Sequence, residues 1–106
     1  MTAAEARQRA IAKVQALYDE AQAQSADRYW QNGPYNVKRW VARGFGAALA
    51  ELKVEPADGE TAEQYARRIS EKVRAWRGNG PDEDDESWYD SAIDEAAIAI
   101  TVAARG

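Results

Sequence analysis

Three clusters of helix-breaking residues cut this chain into four pieces, and each piece repeats its apolar residues at helical spacing. The clusters are Asn32-Gly33-Pro34, the 54–60 stretch with Pro56 and Asp58-Gly59, and Gly78-Asn79-Gly80-Pro81. Gly reaches backbone angles closed to other residues, and Pro cannot continue a helical hydrogen-bond ladder, so each cluster is a stop signal. Between them the sequence predicts helices over about 2–25, 35–53, 61–77 and 84–104, with an acidic loop over 78–87 leading into the last. The expected fold class is all-α: a small four-helix, bundle-like single domain, or three helices with the fourth as a long arm.

Local chemistry supports these bounds. Thr2 with Glu5, and Thr61 with Gln64, each have the spacing of a capping box, in which a hydroxyl and a carboxylate or amide satisfy backbone N–H groups at a helix start. In the first segment Ala3, Ala10, Ile11, Val14, Leu17, Tyr18 and Ala21 share a face, with Arg9, Lys13 and Glu20 opposite. The second gathers Val37, Val41, Gly44, Phe45, Ala48 and Leu52; the Gly44 and Ala48 pair invites a close helix neighbour, and Gly46 marks a kink or tight contact. The third places Ala62, Tyr65, Ile69, Val73 and Trp76 in one arc, and Glu63, Arg67 and Glu71 form an outer ladder of alternating charge. The fourth has a main apolar face of Tyr89, Ala92, Ile93, Ala96, Ile100 and Ala103. Ile98 and Val102 make a second strip on the other side. Ile98, Ile100 and Val102 also alternate as in a strand, but the surrounding Ala residues favour helix.

Large apolar residues are scarce. Ala fills 23 of the 106 positions, and Leu, Ile, Val and Phe together fill 15. A composition so thin in aliphatic bulk borders on that of disordered chains. The net charge of −4 is modest, however, and nine Trp and Tyr residues supply volume, which favours a folded domain with a thin core.

The same inventory closes several classes of function. With no Cys there is no disulfide, thiolate metal site or cysteine nucleophile, and with no His the usual general base and transition-metal ligand are missing. No apolar run approaches membrane-spanning length, and the charged start MTAAEARQRA lacks a signal-peptide core, so a soluble, cytoplasmic protein is expected. The run Asp82, Glu83, Asp84, Asp85 and Glu86 resembles the first half of a calcium loop. It fails at Ser87, where the turn needs Gly, and at Ile93, where a bidentate Glu is needed. Gly44-Phe45-Gly46 lies inside a helical pattern rather than after a strand and carries no phosphate-loop signal. Neither a metal nor a cofactor is expected, nor is an enzyme.

The most suggestive cluster is Arg28, Tyr29, Trp30, Tyr35, Lys38, Arg39, Trp40 and Arg43. Trp and Arg dominate binding hot spots because each combines large contact area with directional bonding. The expected function is a non-enzymatic protein–protein interaction module, comparable by class alone to inhibitors, immunity-type proteins and phage- or plasmid-borne accessory factors. Trp40 is its expected anchor, Arg39 and Arg43 the charged contacts, and Trp30 and Tyr35 the extension of the surface. The acidic run from Asp82 to Glu86 would be a second contact for a basic partner. The same aromatic and basic residues also suit single-stranded nucleic acid, or simply cover the core through cation–π contacts. A third alternative is a structural subunit that self-associates as a homodimer through Trp88, Ile98 and Val102. Against it, the second strip on the last helix would belong to the core of a helix buried on two sides.

Overall fold

The computed structural model describes residues 1–26, 37–80 and 83–105, and of residues 83–87 only the backbone. Its four helices are α1 (Ala3–Ser25), α2 (Val37–Glu51), α3 (Ala62–Arg74) and α4 (Glu83–Ala103). They pack as a bundle-like all-α fold, with no strand among the described residues. α4 packs against all three other helices rather than projecting as an arm. Ile98, Ile100 and Val102 are helical.

Both capping boxes form. The Thr2 hydroxyl accepts a hydrogen bond from the Glu5 backbone N–H at 3.1 Å, while the Glu5 carboxylate accepts one from the Thr2 N–H at 3.3 Å. These bonds hold the Glu5 carboxyl below its ordinary pKa. Thr61 and Gln64 repeat the arrangement at 3.1 and 3.0 Å. The two caps also meet each other, because Thr2 and Thr61 form an isolated antiparallel bridge. α1 and α3 therefore start side by side.

The link from α3 to α4 fixes the next direction. Gly78 adopts a positive φ of 86° and closes the run of tighter turns that follows α3. Its backbone N–H donates to Asp90 at 2.9 Å, and Arg77 holds Asp94 through two bonds of 2.7 and 2.9 Å. Further along, Ala66 and Ser70 of α3 share a groove with Thr101 of α4 and with Ala104 just past its end. α4 thus runs antiparallel to α3, and, because Met1 shares a groove with Ala104 and Arg105 while Glu20 shares one with Glu95, antiparallel to α1 as well.

The thin core is compensated by close approach. Among the described residues fourteen core positions are Ala and nine are larger, with Tyr65, Leu52, Ile69, Ile93, Ile100, Val14 and Val73 the largest that are fully enclosed. One such approach is between α2 and α4, at Gly44. A Cβ added at Gly44 would stand 2.7 Å from the Cβ of Ala92 and 3.1 Å from the Tyr89 carbonyl oxygen. The expectation of a close neighbour at Gly44 is met by these residues. Gly46 differs, because a Cβ there would lie 3.5 Å from the Tyr18 ring, an ordinary contact. The tight contact expected at Gly46 is not present.

Polar groups fasten the segment between α2 and α3. The Tyr65 hydroxyl donates to the Val54 carbonyl at 2.7 Å, and Arg7 Nε donates to the Leu52 carbonyl at 2.8 Å. Arg68 grips Glu60 at 2.8 and 2.9 Å and also reaches the Glu55 carbonyl. The Arg68 guanidinium, aided by the Ala57 backbone N–H, pulls the Glu60 carboxyl down to about 2. Burial raises the Tyr65 phenol.

Three expectations are corrected. α3 stops at Arg74, not at residue 77, and Trp76 and Arg77 continue in tighter turns onto the Val73 and Arg74 carbonyls. The change of pitch rotates Trp76 out of the core arc. It is 39% exposed, and its indole N–H donates to Glu51 at 3.0 Å. The described ion pairs are Arg68–Glu60 and Arg77–Asp94, both linking separate segments, rather than the Glu63–Arg67–Glu71 ladder within one helix. Finally, α4 is not buried on two sides. Its neighbours cover Tyr89, Ala92, Ile93, Ala96, Ala97, Ile100 and Ala103, leaving Trp88, Ile98 and Val102 outward. In a four-helix arrangement each helix keeps a face with no neighbour to cover it.

Two stability measurements test this packing. Gly44→Ala should destabilise the fold by about 1–3 kcal/mol in urea unfolding, because helix backbone must move to admit the methyl group. Gly46→Ala should instead be neutral or stabilising by up to about 1 kcal/mol. Glu60 yields a pH prediction. Its folded pKa is depressed, so its contribution is complete above the ordinary value of 4.5 and is lost as pH falls towards about 2. Thermal melts across that window should show a steeper loss for the wild type than for Glu60→Gln.

Candidate functional site

On α2 the sequence-selected residues divide. Arg39 and Arg43 are exposed, one helical turn apart, and Trp40 is half-buried. Trp40 meets Tyr89 of α4 in an edge-to-face contact, with ring centroids 6.5 Å apart and planes at 77°. The Arg43 guanidinium lies 4.4 Å from the centroid of the Trp40 ring. Trp40 therefore joins α2 to α4 and carries a cation on its surface, an arrangement worth about 0.5–1 kcal/mol at an exposed site. Burial also raises the pKa of the Tyr89 phenol, with Asp90 adding in the same direction. Arg28, Tyr29, Trp30 and Tyr35 lie outside the described residues. So does Asp82, while Glu83, Asp84, Asp85 and Glu86 form the first turns of α4 rather than part of the expected acidic loop, their side chains undescribed.

Two grooves were candidates for small-molecule chemistry. One lies between α3 and α4 and is rimmed by Arg67, Arg74 and Arg105 together with Glu63 and Glu71. Its hydroxyls are already engaged: Ser70 donates to the Arg67 carbonyl and Thr101 to the Ala97 carbonyl, both at 3.0 Å. The other surrounds Trp76, Glu51, Lys72 and Asn79, where the indole N–H is bound to Glu51. Among the described residues no three acidic side chains converge as metal ligands would. No described helix is long and apolar enough to cross a membrane.

The third groove is different in kind. Ile98 and Val102 of α4 are 56% and 44% exposed, and Ala99 lies beside them. Across the groove stand Ala16 and the half-buried Leu17 of α1. Charges close it at its ends: Lys13 and Glu20 come from α1, and Glu95 from α4. Because α1 and α4 are antiparallel, Lys13 lies at the Val102 end and Glu20 at the Glu95 end. The apolar strip thus has one basic and one acidic terminus.

The sequence selected Ile98 and Val102, but not their α1 neighbours. Leu17 was assigned to the core face and Lys13 and Glu20 to the solvent face, both correctly as local patterns. That α1 would be the helix lying beside Ile98 depends on chain topology, for which periodicity carries no signal. Trp88, grouped with Ile98 and Val102 from sequence, is 43% exposed on the same side of α4 but does not line this groove.

Comparison with known proteins gives no match: no family model fits the chain, and no curated protein or solved structure is similar to it.

The Trp40 cluster has a measurable signature. Trp40→Ala should cost about 2 kcal/mol of stability, since it empties a half-buried α2–α4 contact, whereas Arg43→Ala should cost at most about 1 kcal/mol. Equal and negligible effects in denaturant titrations would show that the indole does not brace the two helices.

Proposed function

We propose that this chain is a non-enzymatic protein–protein interaction module whose contact surface is the α1–α4 face centred on Leu17, Ile98 and Val102. The supporting observation is the exposure of Ile98 and Val102 on a helix whose opposite side is fully enclosed. A β-branched pair held outward on a rigid helix, beside a second apolar wall, is a ready-ordered hydrophobic contact with a polar rim. The inventory of side chains agrees with binding rather than catalysis, since the chain has neither His nor Cys. Within this reading the chain acts as an inhibitor, an immunity-type protein or an accessory factor, by occupying a partner's surface.

The Arg39–Trp40–Arg43 edge ranks second as a protein contact and lower as a nucleic-acid contact. Arg43 covers one face of the indole, so a base stacking there would first have to displace it.

The reading is tested by affinity capture from source-cell lysate with nuclease present, using the wild type and the Ile98→Glu, Val102→Glu double variant. The double variant should keep wild-type helicity and melting temperature, because both side chains face outward. It should also lose the stoichiometric protein that the wild type retains at about 200 mM salt. Retention of the same protein by the folded double variant would overturn the reading. Recovery of nucleic acid, released steeply between about 50 and 200 mM salt, would replace it with the phosphate-binding alternative.

A further inference from the structure

Resting on that reading of the α1–α4 face, we infer that its occupant is a second copy of this chain, docked about a two-fold axis that crosses α4 level with Ile100. The outward seam of α4 runs Ser91, Glu95, Ile98 and Val102, and Arg105 follows in the tighter turn just past the helix end; the spacings alternate between four and three residues, and every one of these is exposed. That spacing is the seam along which two helices pack side by side. Two such seams placed antiparallel about the level of residue 100 bring Ile98 of each copy against Val102 of the partner subunit. The same operation sets Glu95 of each copy opposite Arg105 of the partner subunit. One rotation thus satisfies an apolar pair and a charge pair twice over, as an isologous interface requires.

The α1 side of the groove obeys the same symmetry. Lys13 lies at the Val102 end, and the exposed Arg9 follows one turn nearer the start of α1, whereas Glu20 lies beside Glu95. The face is therefore basic at one end and acidic at the other, and a two-fold rotation lays each end over its opposite. A translated or parallel second copy would set like charges together. Trp88 falls outside the seam, because the same rotation carries it past the C-terminal end of the partner's α4. With two helices per copy in contact, a dimer in reversible exchange with monomer is expected.

The test is sedimentation equilibrium of the purified chain from about 10 μM to about 1 mM at low salt, with circular dichroism of every variant. The wild type should fit a monomer–dimer equilibrium, and the Ile98→Glu, Val102→Glu variant should be a folded monomer. Glu95→Arg and Arg105→Glu should each weaken association about tenfold, since each reversal opposes like charges at both symmetric pairs. Combining Glu95→Arg with Arg105→Glu should restore it. A wild type that remains monomeric throughout overturns the inference, as does a dimer indifferent to Ile98 and Val102. So does a charge-swapped double variant that fails to recover. If the purified chain is monomeric while capture of another protein still requires Ile98 and Val102, the contact face stands and its occupant is wrong. If neither depends on those two residues, the face itself is wrong.

Discussion

The contact between Gly44 of α2 and Ala92 of α4 sets the terms for the rest of the molecule. A chain with so few large aliphatic side chains cannot fill wide spaces between helices, so it must remove the spaces. Placing Gly against Ala lets two backbones approach until a single added methyl group would overlap at 2.7 Å. Around that point the core is mostly Ala, and the few large residues, Tyr65, Phe45, Ile93 and Ile100 among them, occupy what volume is left. Dispersion between closely spaced backbones here does part of the work that side-chain volume does in a richer core.

A close-packed core of small residues has little reach, and polar fastenings carry order outward from it. Arg7 and Tyr65 tie the end of α2 and the following segment to α1 and α3, while Arg68 with Glu60 closes the turn before α3. At the other end Arg77, Asp94, Gly78 and Asp90 set the angle at which α4 leaves α3. These bonds determine which side of α4 is covered and so which apolar residues remain outside. The exposed strip of Ile98 and Val102 is thus a product of the same contacts that enclose Ile93 and Ile100.

Much of this was legible in the sequence. Thr2 with Glu5, Thr61 with Gln64, and the Gly-rich breakers specify helix ends through contacts between residues three or four apart, and local chemistry of that kind survives without tertiary information. The close approach at Gly44 was readable for a related reason, because a small residue on an apolar face has few other uses. Trp76 was misplaced because a shift from α-helical to tighter turns alters the residue's direction, and the periodicity of 3.6 extends past the change unnoticed. The groove was only half visible. Ile98 and Val102 stood out on α4, but Lys13, Leu17 and Glu20 joined them only once packing had laid α1 beside α4. Arg residues lying over aromatic faces, by contrast, are one of the readings the sequence offers, without naming the pair, and Arg43 over Trp40 has that geometry.

The Gly44–Ala92 contact also makes the α2–α4 interface one-sided with respect to change. At Gly44 no smaller residue exists, and at Ala92 the only step down is to Gly, with its entropic cost inside a helix. Almost every other substitution adds volume where none is available. An interface of this kind cannot be improved by filling, because it is already at its minimum, and it offers few neutral routes along which sequence can drift. Variation in such a fold is therefore channelled to its outward faces, so that its surfaces can be remodelled for new contacts while the helix arrangement beneath them stays fixed.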